Sequence, residues 1–177
     1  MKTVSIVGFG RFGKTLYRLI KNDFTINIYD NNGVNAQTFN KDTRIISEMK
    51  DIYKSEVIFF AVPISSFESV IKQHKKYFKK NQLLIDVLSV KIHPAKVFKK
   101  YLKDSKVQAL LTHPMFGPDS SKNGFENLPI IIDKFTSDET NYEFWKNYFQ
   151  SKNLNVIEMS AKDHDKMAAG SQGVTHF

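Results

Sequence analysis

Three glycines near the start of the chain, Gly8, Gly10 and Gly13, constrain the fold more than any other feature. They follow the apolar run Val4–Val7 at the spacing G-x-G-x-x-G, and apolar residues then recur at helical spacing. This order predicts a strand, a tight turn and a helix. In such a unit the first glycine permits the turn, the second admits a pyrophosphate to the backbone, and the third lets the helix pack on the strand.

The glycine motif therefore predicts a dinucleotide site at the N-terminus of the first helix, where free N–H groups and a partial positive charge attract phosphates. A plain glycine turn is the weaker alternative, because the motif stands in the strand and helix context that the site requires. We expect all six residues of the motif to contribute to cofactor binding: Gly8, Phe9, Gly10, Arg11, Phe12 and Gly13.

A carboxylate ends the second predicted strand, which spans residues 25–30. Asp30 lies 17 residues beyond Gly13, where a Rossmann unit places an acid that holds the ribose hydroxyls of the adenosine. Because a carboxylate repels a 2′-phosphate, we expect NAD as the cofactor, with NADP as the alternative since Asn31 and Asn32 are uncharged. Asp30 could also simply open the turn that ends at Gly33, and the two roles are compatible.

Short apolar runs alternate with helical patterns along the chain. This alternation predicts an α/β protein with a Rossmann-type doubly wound, mostly parallel sheet that is covered by helices on both faces. Further strands are predicted at 56–62, 82–87, 107–111, 128–133 and 155–158, and a long loop at 112–128. Helices are predicted at 65–78 with a cap at Ser65 or Ser66, near Pro94, at 138–151 and from Ser160, with two ambiguous short helices at 34–39 and 45–53.

The composition limits the function classes. The net charge is +8, but the lysines are scattered over helix faces and only three arginines are present, so nucleic acid is not expected as a partner. The chain has no cysteine, no histidine pair at H-x-x-x-H spacing and no apolar run near the ~18 residues of a membrane span. We therefore expect no metal site, no membrane partner and a cytoplasmic location. His74 and His93 are expected at the surface.

Polar and titratable residues follow several strands, and the carboxyl ends of parallel strands meet at one edge of a sheet. His113 can act as a base near neutral pH, and Ser89 could orient it or the cofactor. On spacing alone His113 could instead brace its loop, Ser89 could cap a helix, and Asp86 could be a structural acceptor. The strand predicted at 56–62 ends in an apolar segment that could pack on a nicotinamide or adenosine ring: Ala61, Val62 and Pro63.

Five segments together resemble the prephenate/arogenate dehydrogenase family. The first two are generic to Rossmann reductases, whereas the last three are much more specific. The resemblance extends from residue 3 to the last residue. Within the family, the residue pattern near the C-terminus favours the arogenate-type branch. The segments are 8–13, 61–64, 86–91, 112–118 and 163–176.

The resemblance implies oxidation of a cyclohexadienol with loss of carbon dioxide and hydride transfer to the nicotinamide. His113 would accept the proton of the ring hydroxyl, and Ser89 would hold His113 and the nicotinamide in line. His176 matches a family histidine that faces the substrate pocket. His164 and Asp165 would bind the start of a helix and take no part in the chemistry.

The resemblance also implies two domains. Residues 1–160 would form the NAD(P)-binding domain, and residues 161–177 would begin a helix that leads to a helical dimerisation domain. That domain makes the homodimer in family members and supplies an arginine for the substrate carboxylate, yet no arginine lies beyond Arg44 here. We therefore expect a truncated, cofactor-binding portion. The alternatives are a non-catalytic dinucleotide-binding module and another small β-hydroxyacid or imine reductase.

Overall fold

A computed structural model of the protein describes residues 1–35 and 37–175. These residues form eight strands and six helices, and a helix separates most consecutive strands. The strands are β1 Thr3–Val7, β2 Thr25–Tyr29, β3 Thr43–Ile45, β4 Val57–Phe60, β5 Leu83–Asp86, β6 Gln108–Pro114, β7 Pro129–Asp133 and β8 Asn155–Glu158. The helices are α1 Arg11–Ile20, α2 Met49–Ile52, α3 Ile64–His74, α4 Ile92–Leu102, α5 Glu139–Ser151 and α6 Ala161–Thr175, with a 3₁₀ turn at Lys75–Tyr77.

The eight strands form one sheet in the order β3-β2-β1-β4-β5-β6-β7-β8. All neighbouring strands run parallel except β6 and β7, which are antiparallel. The last residue of β1, Val7, pairs with Tyr29 on one side and with Phe60 on the other. The predicted mostly parallel, doubly wound α/β fold is confirmed, and β1 and β4 flank the point where the strand order reverses.

Alternate residues of the central strands bury their side chains on opposite faces of the sheet, as the two-residue period of a strand requires. Ile6 and Phe59 belong to the apolar cluster on one face, and Val7 and Phe60 belong to the cluster on the other. Both faces are covered, which is why β4 is apolar along its whole length. None of the helices in the described part of the chain combines the length and apolarity that a bilayer crossing requires.

Strand β6 extends three residues past its predicted end at Leu111, so His113 lies in a strand and not in a loop. The physical reason is its antiparallel neighbour β7. Thr112 pairs with Ile132, His113 with Ile131 and Pro114 with Ile130. The polar and proline-rich sequence after Leu111 does not predict this pairing, because the partner strand β7 lies beyond a long loop.

The region between β2 and β4 also differs from its prediction. Residues 34–35 and 37–39 are not helical, and 45–53 is divided between the end of β3 and the short helix α2. Helix α3 begins at Ile64 with Pro63 at its N-cap, so the predicted serine caps are wrong. It ends at His74, which is buried against Tyr53 and is not at the surface as predicted.

Candidate functional site

The glycine loop lies in the crevice between the carboxyl ends of β1 and β4. Gly8 has φ +98°, a conformation that side chains disfavour, and its N–H donates to the carbonyl of Tyr29 at 2.8 Å. A Cβ at Gly8 would stand 2.3 Å from the carbonyl oxygen of Ala61. The first glycine therefore makes the turn and also lets the loop pack against the segment that follows β4.

A cleft of about 540 Å³ opens above this loop, within the size range of small-molecule sites. The end of β2, the segment after β4 and one side of α3 form its other walls. Most of the residues predicted to bind the cofactor line this cleft: Gly8, Gly10, Arg11, Phe12, Asp30, Ala61, Val62 and Pro63.

Phe9 and Gly13 belong to the predicted set but stand behind the loop. The side chain of Phe9 is buried and packs edge-on against Tyr17. A Cβ at Gly13 would lie 2.2 Å from the carbonyl oxygen of Gly8, so this glycine permits α1 to approach the loop. Both residues shape the loop from the core side.

Asp30 fastens the glycine loop to the end of β2. Its Oδ2 accepts a hydrogen bond from the N–H of Phe9 at 2.7 Å, and its Oδ1 accepts one from the N–H of Asn32 at 2.8 Å. The second bond is the turn-opening role considered above. The carboxylate lines the cleft at the same time, so the structural role and a ligand-binding role coincide at one residue.

The N-terminus of α1 faces the cleft without a side-chain cap. Gly10 is the N-cap residue, and no side chain of the described residues accepts a hydrogen bond there. The first turn carries no acid, and a Cβ at Gly10 would meet no described atom within 4 Å. Open space before free N–H groups fits an anionic pyrophosphate.

A buried ion pair lies at the ends of β5 and β6. The Lys91 ammonium, 1% exposed, donates to Oδ2 of Asp86 and to the carbonyl of Thr112. Asp86 also accepts from the N–H groups of Leu88 at 3.1 Å and Thr112 at 3.2 Å. Burial raises the pKa of the Asp86 carboxyl and lowers the pKa of the Lys91 ammonium, so neither charge would be stable without the other. The network fixes the strand residue that precedes His113.

His113 is half-buried, and its ring contacts a second histidine. Its Nδ1 lies 2.8 Å from Nε2 of His164, and the two rings meet edge to face. Burial, reinforced by the neighbouring His164 and Lys91, lowers the pKa of His113 from the ordinary 6.5 to about 4. The imidazole is therefore neutral at pH 7, which is the form that can accept a proton.

Helix α6 brings His164 and Asp165 to this place. The Asp165 carboxylate accepts from the N–H groups of Lys91 at 2.7 Å and Ile92 at 3.0 Å, at the start of α4. His164 is 1% exposed and lies between Asp165 and His113. The expectation that both residues would bind a helix start fits Asp165, whereas the contact of His164 with His113 was missed.

Ser89 and His176 complete the predicted set. Ser89 lies exposed between β5 and α4, and within the described chain it makes no hydrogen bond to His113, whose Nδ1 is taken by His164. The alternative in which Ser89 caps α4 is wrong, because Lys91 is the N-cap residue and Asp165 accepts the hydrogen bonds from the N–H groups there. His176 lies outside the described residues. Within those residues no group of three or more metal-ligating side chains is found.

A parallel sheet with a glycine loop in its central crevice and an uncapped helix N-terminus before it defines a Rossmann-type nucleotide-binding domain. The family model described as prephenate dehydrogenase, nucleotide-binding domain, matches residues 17–158. The chain therefore belongs to the prephenate dehydrogenase family. The matched range begins after the glycine loop, so the loop itself is identified by its geometry.

Two arogenate dehydrogenases of Arabidopsis thaliana, both described as chloroplastic, are 33% and 32% identical over 98% of this chain. The chain spans 28% and 51% of their lengths. A solved prephenate dehydrogenase from A. aeolicus, in complex with hydroxyphenyl propionate and NAD+, shares the fold with a TM-score of 0.71 at 17% identity. That match covers 93% of this chain and 62% of the solved one.

Proposed function

We propose that this chain is the cofactor-binding part of an NAD-dependent dehydrogenase that oxidises prephenate or arogenate with loss of carbon dioxide. The observation that carries the proposal is the position of His113. Its neutral imidazole lies at the end of β6, two strands from β4, which borders the nucleotide cleft. Its Nδ1 is already in hydrogen-bond contact with His164. The relatives named arogenate and prephenate dehydrogenases supply the substrate class.

The cleft fits a nicotinamide dinucleotide on its own chemistry. The N–H groups at the start of α1 and the open space at Gly10 suit the pyrophosphate. Asp30 suits a ribose diol and opposes a 2′-phosphate, which favours NAD over NADP. The apolar segment 61–63 offers a surface for a ring. When bound, the nicotinamide supplies the hydride acceptor.

His113 handles the proton in this proposal. Its Nε2 accepts the proton of the ring hydroxyl while the carbon that bears this hydroxyl loses its hydride. The departing carboxylate leaves its bonding pair in the ring, which becomes aromatic, and His113 returns the proton to the phenolate oxygen. General-base help of this kind contributes about 10²–10⁴ in rate.

The remaining predictions extend this function. We infer that residues 1–160 form the cofactor domain and that residues 161–177 lead toward a helical domain that makes the homodimer. His176 would face the substrate from that helix, and Ser89 would contact the cofactor or substrate. The partners would be the cofactor and a small-molecule substrate, without nucleic acid or membrane, in the cytoplasm.

Cofactor preference tests the nucleotide half. NAD+ should raise the melting temperature of the protein more than NADP+ does. In Asp30→Asn the increases caused by the two nucleotides should become more similar, because the substitution removes the charge but keeps one acceptor oxygen. Asp30→Ala should also lose NAD+ affinity about tenfold or more, since hydrogen bonds to a charged group contribute about 1.5–3 kcal/mol. Glu126→Gln, an exposed acid far along the chain, is the matched control. If the parent protein binds NADP+ more tightly than NAD+, the inference that the Asp30 carboxylate repels the 2′-phosphate is wrong.

Turnover tests the catalytic half. His113→Asn in the full-length gene product should keep NAD+ affinity and lose about 10²–10⁴ of kcat for prephenate or arogenate, followed as NADH formation. The control is His93→Asn, which replaces a histidine of α4 and should change neither the NAD+ affinity nor kcat. Equal turnover of the parent and the His113 variant would take His113 out of the mechanism.

A further inference from the structure

Three side chains form a continuous line of hydrogen-bonding contacts that runs from Asp165 through the buried His164 to His113. Asp165 Oδ1 lies 2.7 Å from Nδ1 of His164, and Nε2 of His164 lies 2.8 Å from Nδ1 of His113. The first two residues are neighbours on α6, and His113 belongs to β6. His113 therefore uses one ring nitrogen on the line, and His164 uses both.

The Asp165 carboxylate at the end of the line accepts hydrogen bonds and donates none. Although burial opposes it, the hydrogen bonds from His164, Ile92 and Lys91 hold the pKa of the Asp165 carboxyl below its usual value. Its Oδ1 accepts from the N–H of Lys91 and its Oδ2 from the N–H of Ile92. An ionised carboxylate only accepts hydrogen bonds, so the proton between Asp165 and His164 is on Nδ1 of His164.

The direction of the second hydrogen bond follows from the first. In a neutral His164 with its proton on Nδ1, Nε2 is a bare acceptor, so His113 must donate from its own Nδ1. The Nε2 of His113 is then left with a free lone pair. A solvated neutral histidine side chain prefers to carry its proton on Nε2, so the line reverses the ordinary preference.

We propose that Asp165 and His164 are positioning residues that fix His113 as the Nδ1–H tautomer and so leave its Nε2 as the proton acceptor. The competing arrangement is a protonated His164 that donates to His113 and puts the proton of His113 on Nε2. That arrangement would bury a second cation in the region that already holds the Lys91 ammonium, which is costly. It would also leave His113 unable to accept a proton at Nε2.

The catalytic consequence rests on the proposed function, but the tautomer does not. A base in the wrong tautomer cannot take the substrate proton, and in serine-protease triads the loss of the tautomer-setting carboxylate lowers kcat about 10⁴-fold. Removal of the acceptor at position 164 should thus lower kcat in the full-length enzyme by about 10²–10⁴ while NAD+ affinity is retained.

The test is ¹⁵N-histidine NMR on the 177-residue chain at pH 7, with the five histidines assigned by single substitutions. We expect a proton-bearing Nδ1 and a bare Nε2 at His113. His164→Phe should return His113 to the Nε2–H tautomer. His164→Gln, whose side-chain oxygen can take the place of Nε2, should restore the Nδ1–H tautomer, and His93→Gln should leave it unchanged.

Two results would overturn the proposal. One is a parent protein in which His113 carries its proton on Nε2. The other is an Nδ1–H tautomer that persists in His164→Phe, since another group would then set it. If His164→Phe does not fold, the parent spectrum and the His164→Gln variant still decide the question. A confirmed tautomer without NAD+ binding or turnover would contradict the proposed function alone.

Discussion

Two glycines of the motif, Gly10 and Gly13, allow the nucleotide site and the fold to be perturbed separately. A methyl group at Gly10 would enter open space in the cleft, with no described atom within 4 Å. A methyl group at Gly13 would stand 2.2 Å from the carbonyl oxygen and 3.0 Å from the carbonyl carbon of Gly8. Gly10→Ala should therefore affect binding, and Gly13→Ala should affect stability.

The magnitudes follow from the local structure. Gly10 is the N-cap of α1 at φ −79° and ψ −153°, which alanine can adopt, so Gly10→Ala should cost at most about 1 kcal/mol. On an open helix surface, a glycine-to-alanine substitution raises the free energy of unfolding by about 1 kcal/mol. At Gly13 the new methyl group would clash with the Gly8 carbonyl and displace α1 or the loop, which should lower the free energy of unfolding by about 1–3 kcal/mol or more. For a chain of this size each kcal/mol corresponds to about 2–4 °C in melting temperature.

The assay pairs thermal unfolding without nucleotide with NAD+ titration by calorimetry. Gly10→Ala should melt near the parent temperature and lose NAD+ affinity by tenfold or more, which is about 1.4 kcal/mol. Gly13→Ala should melt at least several degrees lower. Gly170→Ala adds a methyl group to an exposed site on α6, so it should leave the NAD+ affinity unchanged and should not lower the melting temperature, which the better helix propensity of alanine can raise by a few degrees. An unchanged NAD+ affinity in Gly10→Ala, or an unchanged melting temperature in Gly13→Ala, would refute the reasoning.

Three further predictions concern stability. Burial lowers the pKa of His74 from 6.5 to about 4, so the unfolded chain binds more protons between these values and the free energy of unfolding should fall by up to about 3 kcal/mol as the pH drops from 6.5 to 4. Urea titrations at several pH values should show this slope added to that of His113, whose pKa is lowered to the same value, and the total slope should become about half as steep when His74 and its partner Tyr53 are both replaced by Phe. Lys91→Met leaves Asp86 buried without its partner and should cost about 3–5 kcal/mol in urea unfolding, and a loss under 1 kcal/mol would contradict the charged pair. Asp138→Ala removes the N-cap side chain of α5, whose Oδ1 accepts a hydrogen bond from the N–H of Asn141 at 2.8 Å. The melting temperature should fall by about 2–4 °C, whereas an unchanged value would show that the cap contributes nothing to stability.

The sequence predicted the elements of the sheet well because their signals are local. The glycine motif, the apolar runs and β8 at Asn155–Glu158 each depend on residues that are adjacent in the chain. The mostly parallel arrangement of the sheet followed from the alternation of strands and helices, since parallel neighbours need long crossover connections. Seven strands were predicted with small errors at their ends, and the three-residue edge strand β3 was not predicted.

The predictions failed where the deciding contact is remote. His74 lies among exposed lysines on the sequence, yet Tyr53 offers it a hydrogen-bonding hydroxyl 21 residues away and buries it. His113 looked like a loop residue because the strand that pairs with it is separated by a long loop. His164 lies 51 residues from His113, and no periodicity of α6 points to that contact.

The two halves of the site are therefore built on different principles. The nucleotide half has a local phosphate-binding end, because β1, the glycine turn and the start of α1 are adjacent in the chain, and hydrogen bonds from Gly8 and Phe9 join this end to the end of β2. The end of β2, the segment after β4 and one side of α3 supply the other walls of the cleft. The half around His113 joins β6 to α4 and α6, because Asp165 holds the start of α4 while its neighbour His164 holds His113. Any movement of α6 must shift both contacts at once. The orientation of the base is thus coupled to the placement of the helix that leads to residue 175, whereas the glycine loop can form without it.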